Sequence, residues 1–349
     1  MKIGIVTFTS GNNYGQRLQN YAMQEVCKNY GDEVLTIKHK ERRKSIKGTI
    51  KKCFHIFNVK SFLWDVKRNK AFQNFDKEYV QYYDKKLNIK NDNQDINNDF
   101  DYFVAGSDQV WSPNSPDVDK NYFLDFASNE KKVSYAPSIA SETIPENKLN
   151  EYVNYWKTFS CISIRENNFQ DIIARLTGKD VYVHIDPTML LDRTDWHKMT
   201  RKPKDLTDDN YAVFYFLGAE SENVAKVKEF CKEQNLKIID LFDKEQLSGI
   251  GPQEFLYLIE NAQLMVTDSF HGCVFSILFH TPFVVMERKS SRYSMNSRFD
   301  TLLTTFHLEN RMISKIDFNN VFEMDFDKTE NVLSKKREES KEYLDRCFK

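Results

Sequence analysis

The stretch Val266–Ile277, V-T-D-S-F-H-G-C-V-F-S-I, carries a histidine where an apolar strand passes into a helix. Thr267, Asp268 or Ser269 can cap that helix, leaving His271 in its first turn, where the helix dipole favours an anionic ligand. Gly272 leaves room for close approach of another group. Such a histidine can equally be a satisfied structural residue. Five other segments place polar side chains just after apolar runs. Thr9–Ala22 (T-S-G-N-N-Y-G-Q-R-L-Q-N-Y-A) offers Asn13, Tyr14 and Gly15 at a strand-to-helix turn whose exposed N–H groups suit an anion or a sugar hydroxyl. It is neither a P-loop nor G-x-G-x-x-G, so it names no nucleotide. Gly106–Pro113 (G-S-D-Q-V-W-S-P) offers Asp108 and Gln109 to hydroxyls and Trp111 as an apolar face for a sugar ring; its plainer reading is an Asx turn with a buried tryptophan. In S-I-R-E-N, Arg165 ends a strand, placed to bind carboxylate or phosphate through two N–H groups, or else to pair with Glu166. His184 and Asp186 in H-I-D-P-T share one strand face, but two ligands make no metal site, and Asp186 reads better as lining a cleft or shaping a boundary. Arg298, in M-N-S-R-F-D-T-L-L, faces the same end of the second half as His271.

These positions need a scaffold that gathers strand ends. Strand-like runs alternate with helix-length segments throughout, the pattern of parallel sheets covered by helices. The first half reads as strands Lys2–Phe8, Glu33–Ile37, Tyr102–Ala105, Val133–Ala136, Cys161–Ile164 and Val181–Ile185, and the second as Tyr211–Leu217, Lys237–Leu241, Leu264–Thr267 and Phe283–Met286. At 349 residues the chain is long for one core. The expected architecture is α/β, with two Rossmann-like domains facing a cleft: residues 1–192, residues 193–326, and a C-terminal helix, 327–349, packing back on the first. Residues 193–209 read as a linker and the Asn/Asp-rich run 88–101 as an exposed loop.

Charge is nearly balanced at −1, which does not announce a nucleic-acid partner. Between Lys38 and Lys70, however, twelve Lys/Arg face only Glu41 and Asp65, a net +10 interleaved with Ile, Phe, Leu and Trp. That mix suits either an anionic membrane surface or a solvated helical face. No apolar run reaches the ~20 residues of a bilayer span, and the opening residues read as a strand rather than a signal peptide. The expectation is a cytoplasmic chain, peripheral at most to the inner face of the cell membrane. Six scattered cysteines without C-x-x-C read as reduced thiols.

Taken in order, N-Y-G-x-x-L-Q-x-Y-A (Asn13–Ala22), G-S-D-Q-V-W, S-I-R-E, D-P-T, S-F-H-G and S-R-F-D-T-L-L resemble the polysaccharide pyruvyl transferases over most of the chain. Many members carry arginine two residues before the histidine, where this chain has Ser269, so Arg298, Arg288 or Lys289 would have to supply that cation. The resemblance implies a fold similar to the GT-B glycosyltransferases. It also implies transfer of an enolpyruvyl unit from phosphoenolpyruvate to two sugar hydroxyls in a surface or capsular polysaccharide precursor. No separate cofactor or metal is needed, and the acceptor could be lipid-linked. On that reading Arg165, His271 and Arg298 hold the donor. His271 serves as acid or phosphate ligand, Asp108 as base with Asp186 in reserve, and Asn13, Gln109 and Trp111 orient the acceptor. The rival readings are a nucleotide-sugar glycosyltransferase, whose ribose carboxylate would lie near Asp240–Asp243, and a non-catalytic sugar- or anion-binding module.

Overall fold

The computed structural model describes residues 1–40, 59–218, 223–287 and 297–349. Residues 41–58, which hold half of the basic charges noted above, and Arg288 and Lys289 lie outside them. The strands are β1 (Lys2–Val6), β2 (Glu33–His39), β3 (Tyr82–Leu87), β4 (Tyr102–Ala105), β5 (Lys132–Ser134), β6 (Ile162–Ile164), β7 (Val181–Val183), β8 (Tyr211–Tyr215), β9 (Lys237–Asp240), β10 (Leu264–Thr267) and β11 (Phe283–Val285). The helices are α1 (Tyr14–Cys27), α2 (Val59–Tyr79), α3 (Gln94–Asn98), α4 (Glu146–Lys157), α5 (Gln170–Thr177), α6 (Arg193–Met199), α7 (Asn223–Glu233), α8 (Pro252–Glu260), α9 (Phe270–Phe279), α10 (Ser297–Phe306) and α11 (Phe326–Cys347).

Three parallel sheets result, ordered β3-β2-β1-β4-β5, β11-β10-β8-β9 and β6-β7. Central strands such as Tyr211–Tyr215 and Leu264–Thr267 are buried at every residue, as helices on both faces require, so they read as continuous apolar runs. In each large sheet the connections reverse beside the first strand. The loops after β1 and β4, and those after β8 and β10, therefore splay apart to leave a crevice. At the second crevice Asp268 accepts the N–H groups of Leu217 and Gly218 at 2.6 and 2.8 Å, tying the two loops together.

The two large sheets are joined by packing. Tyr14 on α1 stacks on Phe255 of α8, ring centroids 4.5 Å apart and planes 1° from parallel, and its hydroxyl donates to the Ile250 carbonyl at 3.1 Å. Leu18, Ala22, Phe72 and Phe75 continue the same apolar cluster into Phe255, Phe270 and Phe275. Helix α2 spans the junction, with Trp64 Nε1 donating to the Leu247 carbonyl at 2.8 Å. Helix α11 lays Tyr343, Leu344 and Cys347 against Ile3, Ile5 and Val133 of the first sheet.

Three stretches differ from the sequence expectation. The run 193–209 is not wholly linker: α6 buries Trp196 completely, its indole N–H donating to Thr188 O at 3.0 Å. The run 88–101 is not all exposed, since α3 buries Ile96 beneath the first sheet. Strand β3 was not expected because its middle, Asp84–Lys86, is exposed at the sheet edge and lacks an apolar run.

Candidate functional site

Asp186 follows β7 and caps the 3-10 turn Pro187–Leu190; its Oδ1 accepts the backbone N–H of Thr188 at 3.0 Å and the Thr188 hydroxyl at 2.7 Å. Its Oδ2 accepts from Ser107 Oγ and from Arg165 Nη1, both at 2.8 Å, and His271 Nε2 stands 3.4 Å away. Four loops, after β4, β6, β7 and β10, thus deliver one side chain each to a single fully buried carboxylate. Burial pushes the Asp186 carboxyl upward, but His271, Arg165 and the Thr188 N–H outweigh it and hold it well below the usual carboxylate range. A carboxylate held so firmly ionised is a poor proton acceptor. It is a counter-ion that orients Arg165 and His271, which revises the reserve-base role suggested by sequence.

Arg165 is 3% exposed, and its guanidinium lies over the Phe270 ring at 4.2 Å. Glu166, the competitor weighed from sequence, comes only to 3.9 Å of Nε and is engaged by Ser138 Oγ and the Ile139 N–H instead. Two Arg165 nitrogens, Nε and Nη2, are buried without a hydrogen-bond partner. Unmet charged donors in a protein interior are costly unless a ligand takes them. Arg165 borders a cavity of about 140 Å³, which Asp186, Arg298, Lys336, Asn167, Thr301 and Thr305 also line, over an apolar floor that includes Phe270, Met189 and Phe306. Lys336 and Thr305 carried no sequence signal, and Thr301 only that of its place in S-R-F-D-T-L-L; they matter because α10 packs on the turn after β6 and α11 on the turn after β7. His184 lines the same cavity but stacks among aromatic rings, 4.6 Å from Tyr343.

His271 is in the first turn of α9, capped by Ser269, whose Oγ accepts the Gly272 N–H at 3.4 Å; Ser269 does helix-capping work here. Its ring lies against the backbone of Gly15, where any Cβ would overlap it. Gly15 is therefore required as the place where α1 meets α9. Contrary to the sequence expectation that Gly272 lets another group approach His271, a Cβ there would strike the Thr267 side chain at 2.8 Å, so the glycine serves internal packing. It lets α9 pack on β10.

The remaining sequence candidates divide. Asp108 has φ +79, a strained conformation for a non-glycine residue, and its Oδ2 is buried without a partner while Oδ1 accepts the Gln109 N–H at 2.8 Å. It stands next in sequence to Ser107 but does not line the 140 Å³ cavity. Gln109 is half-buried beside it, and Asn13 caps α1, accepting from Gln16 N at 3.3 Å. Two expectations are corrected. Trp111 is fully buried, stacked 5.5 Å from Phe123 with its indole N–H on Tyr122 O at 3.1 Å, so it offers no face to a sugar. Tyr14 is likewise buried between the two large sheets. Both are large aromatic surfaces, and burial stabilises more than exposure. Among the described residues, no group of three or more His, Cys, Asp or Glu is placed to hold a metal ion.

The family model for polysaccharide pyruvyl transferase matches residues 13–290, most of the chain and all but one of the motif segments described. The chain belongs to that family. No curated protein matches the sequence. Among solved structures, the chain is similar to UDP-GlcNAc 2-epimerase from Neisseria meningitidis bound to UDP-GlcNAc, at 10% identity and TM-score 0.51, covering 92% of this chain and 89% of that one. It is also similar to the Methanocaldococcus jannaschii UDP-GlcNAc 2-epimerase in complex with UDP-GlcNAc and UDP, at 14% identity and TM-score 0.46 over 96% and 99%. At such identities the likeness speaks to the fold, which is the α/β, GT-B-like arrangement of parallel sheets.

Proposed function

We propose that this pyruvyl transferase family member takes an enolpyruvyl unit from phosphoenolpyruvate and closes it as a ketal onto two hydroxyls of a sugar in a surface-polysaccharide precursor, releasing phosphate. The observation that carries the reading is the cavity where the unmet donors of Arg165 meet Arg298 and Lys336. A cation about 4 Å from a phosphate or carboxylate contributes roughly 4 kcal/mol at an effective dielectric near 20, before desolvation. Three cations suit a compact, multiply charged anion. The volume, about 140 Å³, is well below the ~300–1,000 Å³ of sites that enclose larger ligands, which favours a three-carbon phosphoester over a nucleotide sugar. Asp240 and Asp243, the carboxylates a nucleotide-sugar reading would use, accept the N–H groups of Phe242 and Glu245 in local turns at 2.8 and 2.9 Å.

In this scheme a proton is added to the donor's methylene carbon, one sugar hydroxyl attacks the resulting cationic carbon, phosphate departs, and the second hydroxyl attacks. Of the two hydroxyl protons, one balances the carbon protonation and the other leaves with phosphate. His271, joined to the cavity wall through Asp186 against its Nε2 and not itself in the lining, is the acid or phosphate ligand; Asp108, with its unpartnered Oδ2, is the base. The arginine that many relatives carry at position 269 is replaced in function by Arg298. The acceptor is lipid-linked, and the enzyme works peripherally at the anionic inner face of the cell membrane. This placement is supported by the basic run and by the outward face of α2.

A phosphorus NMR time course with phosphoenolpyruvate and a panel of simple and lipid-linked galactosides tests the reaction. Acceptor-dependent phosphate release is expected, and His271→Ala should lower it by about two to four decades. Phosphoenolpyruvate, rather than a UDP-sugar, should raise the melting temperature. Stabilisation by UDP-sugar alone, with no phosphate released, overturns the proposal.

A further inference from the structure

Away from that cavity, an open hollow of about 530 Å³ beside the small sheet is lined by Cys161, Lys179, Tyr182, Tyr343, Arg346 and Cys347. Cys161 precedes β6 and is half-exposed; Cys347 is the last residue of α11 and is buried. Both side chains line the hollow and belong to one apolar cluster, Cys161 at its partly buried edge and Cys347 within it. Neighbouring contacts fix both backbones. Tyr343 Oη donates to Ser134 O at 2.7 Å, Arg346 lies 4.8 Å over the Tyr182 ring, and Cys161 is bridged to Val133 of β5.

The contrast with the other described cysteines is sharp. Cys27, Cys231 and Cys273 are buried, and burial raises each thiol, Cys231 to about 11. Cys161 is shifted the other way, first by the neighbouring Cys347 thiol, whose effect outweighs the desolvation, then by Ser160 and the nearby charges of Arg346 and Lys179. Cys347 is correspondingly raised, as the thiol that keeps its proton. A solvent-reachable thiol beside cations, sharing its hollow with a second thiol, is the arrangement that reacts with peroxides and is then resolved.

We propose that Cys161 and Cys347 are a peroxide-reactive pair, Cys161 being oxidised to a sulfenic acid that Cys347 resolves as an intrachain disulfide. The Cys161 thiolate sulfur attacks one oxygen of hydrogen peroxide, the O–O bond breaks and hydroxide leaves. Cys347 sulfur, losing its proton, then attacks the Cys161 sulfur, and the S–O bond breaks with loss of a second hydroxide. The two thiols give up two electrons, and one peroxide becomes two waters. The bond would staple α11, which carries Lys336, to the residue before β6, the strand that leads directly into Arg165.

The test uses the full-length wild-type chain. With limiting iodoacetamide at neutral pH, Cys161 should alkylate at least about tenfold faster than Cys231. After hydrogen peroxide, peptide mass spectrometry without reductant should find Cys161 joined to Cys347 with loss of two hydrogens. In Cys347→Ser, dimedone should trap the sulfenic acid on Cys161 and the crosslink should vanish. Equal alkylation of Cys161 and Cys231 overturns the proposal. So does a Cys161 crosslink to Cys53, or dimedone labelling confined to other cysteines. Neither the alkylation rates nor the crosslink depends on the transferase reading.

Discussion

His184 lines the cavity beside Arg165 without adding charge to it at neutral pH. Burial first, then the positive charges of Lys336 and Arg346, push its imidazole down to about 4. In the unfolded chain it titrates near ~6.5. Between those values the unfolded state binds more protons than the folded one, so stability falls as pH drops from about 6.5 to about 4. The linked loss is about 3 kcal/mol. Asp186 has the depressed shift of a paired acid: its contribution is complete above the ordinary carboxylate value of ~4 and is lost only below it, toward its lower folded value. The two windows therefore separate. Urea unfolding at pH 7 and pH 4.5 should show the histidine's loss in the wild type and a much smaller one in His184→Phe. Equal losses in both proteins would mean that His184 is not held neutral.

At the scale of elements, the meeting of α1 with α9 sets the position of His271. Gly15→Ala should strengthen α1 as a helix by up to ~1 kcal/mol through propensity, yet its Cβ occupies the space of the His271 ring. Turnover should fall about a hundredfold, the cost of displacing a reacting group by roughly an ångström, with helix content by circular dichroism unchanged. Undiminished turnover would separate His271 from the chemistry. This contact also marks where sequence reading stops. Buried strands such as Leu264–Thr267 are local patterns and could be read directly, and the cap of α9 could be narrowed to Thr267, Asp268 or Ser269, of which the structure uses Ser269. That Arg165, Ser107 and His271 share Asp186 could not be read, because they meet only when loops up to 164 residues apart in the chain converge. Trp111 shows the other limit. A tryptophan after a strand has the same sequence whether it stacks on Phe123 or on a sugar, and only the packing of α4 above it decides.

For the molecule as a whole, α2 joins the two large sheets and also presents a surface. Arg68 donates to Asn12 O at 2.9 Å in the loop after β1, while Val59, Phe62, Leu63 and Val66 stay exposed on a stripe at helical spacing. With the basic run preceding it in sequence, this face suits an anionic bilayer. Wild-type protein should sediment with vesicles containing phosphatidylglycerol and not with phosphatidylcholine alone. The double change Phe62→Glu and Leu63→Glu should weaken that binding by at least about tenfold, given ~1.5–3 kcal/mol per large apolar side chain, and leave phosphate release with a soluble acceptor intact. Failure of the wild type to bind removes the membrane from the account. The stacked Tyr14–Phe255 pair has a last consequence for movement. Prising the sheets apart at that seam would wet Leu18, Ala22, Phe72 and Phe75 together, so the seam is an axle and not a mouth. The two helices that wall the cavity, bearing Arg298 and Lys336, are seated in that same cluster through Phe299, Leu302, Leu303, Phe306 and Leu333, so wall and seam hold or yield together.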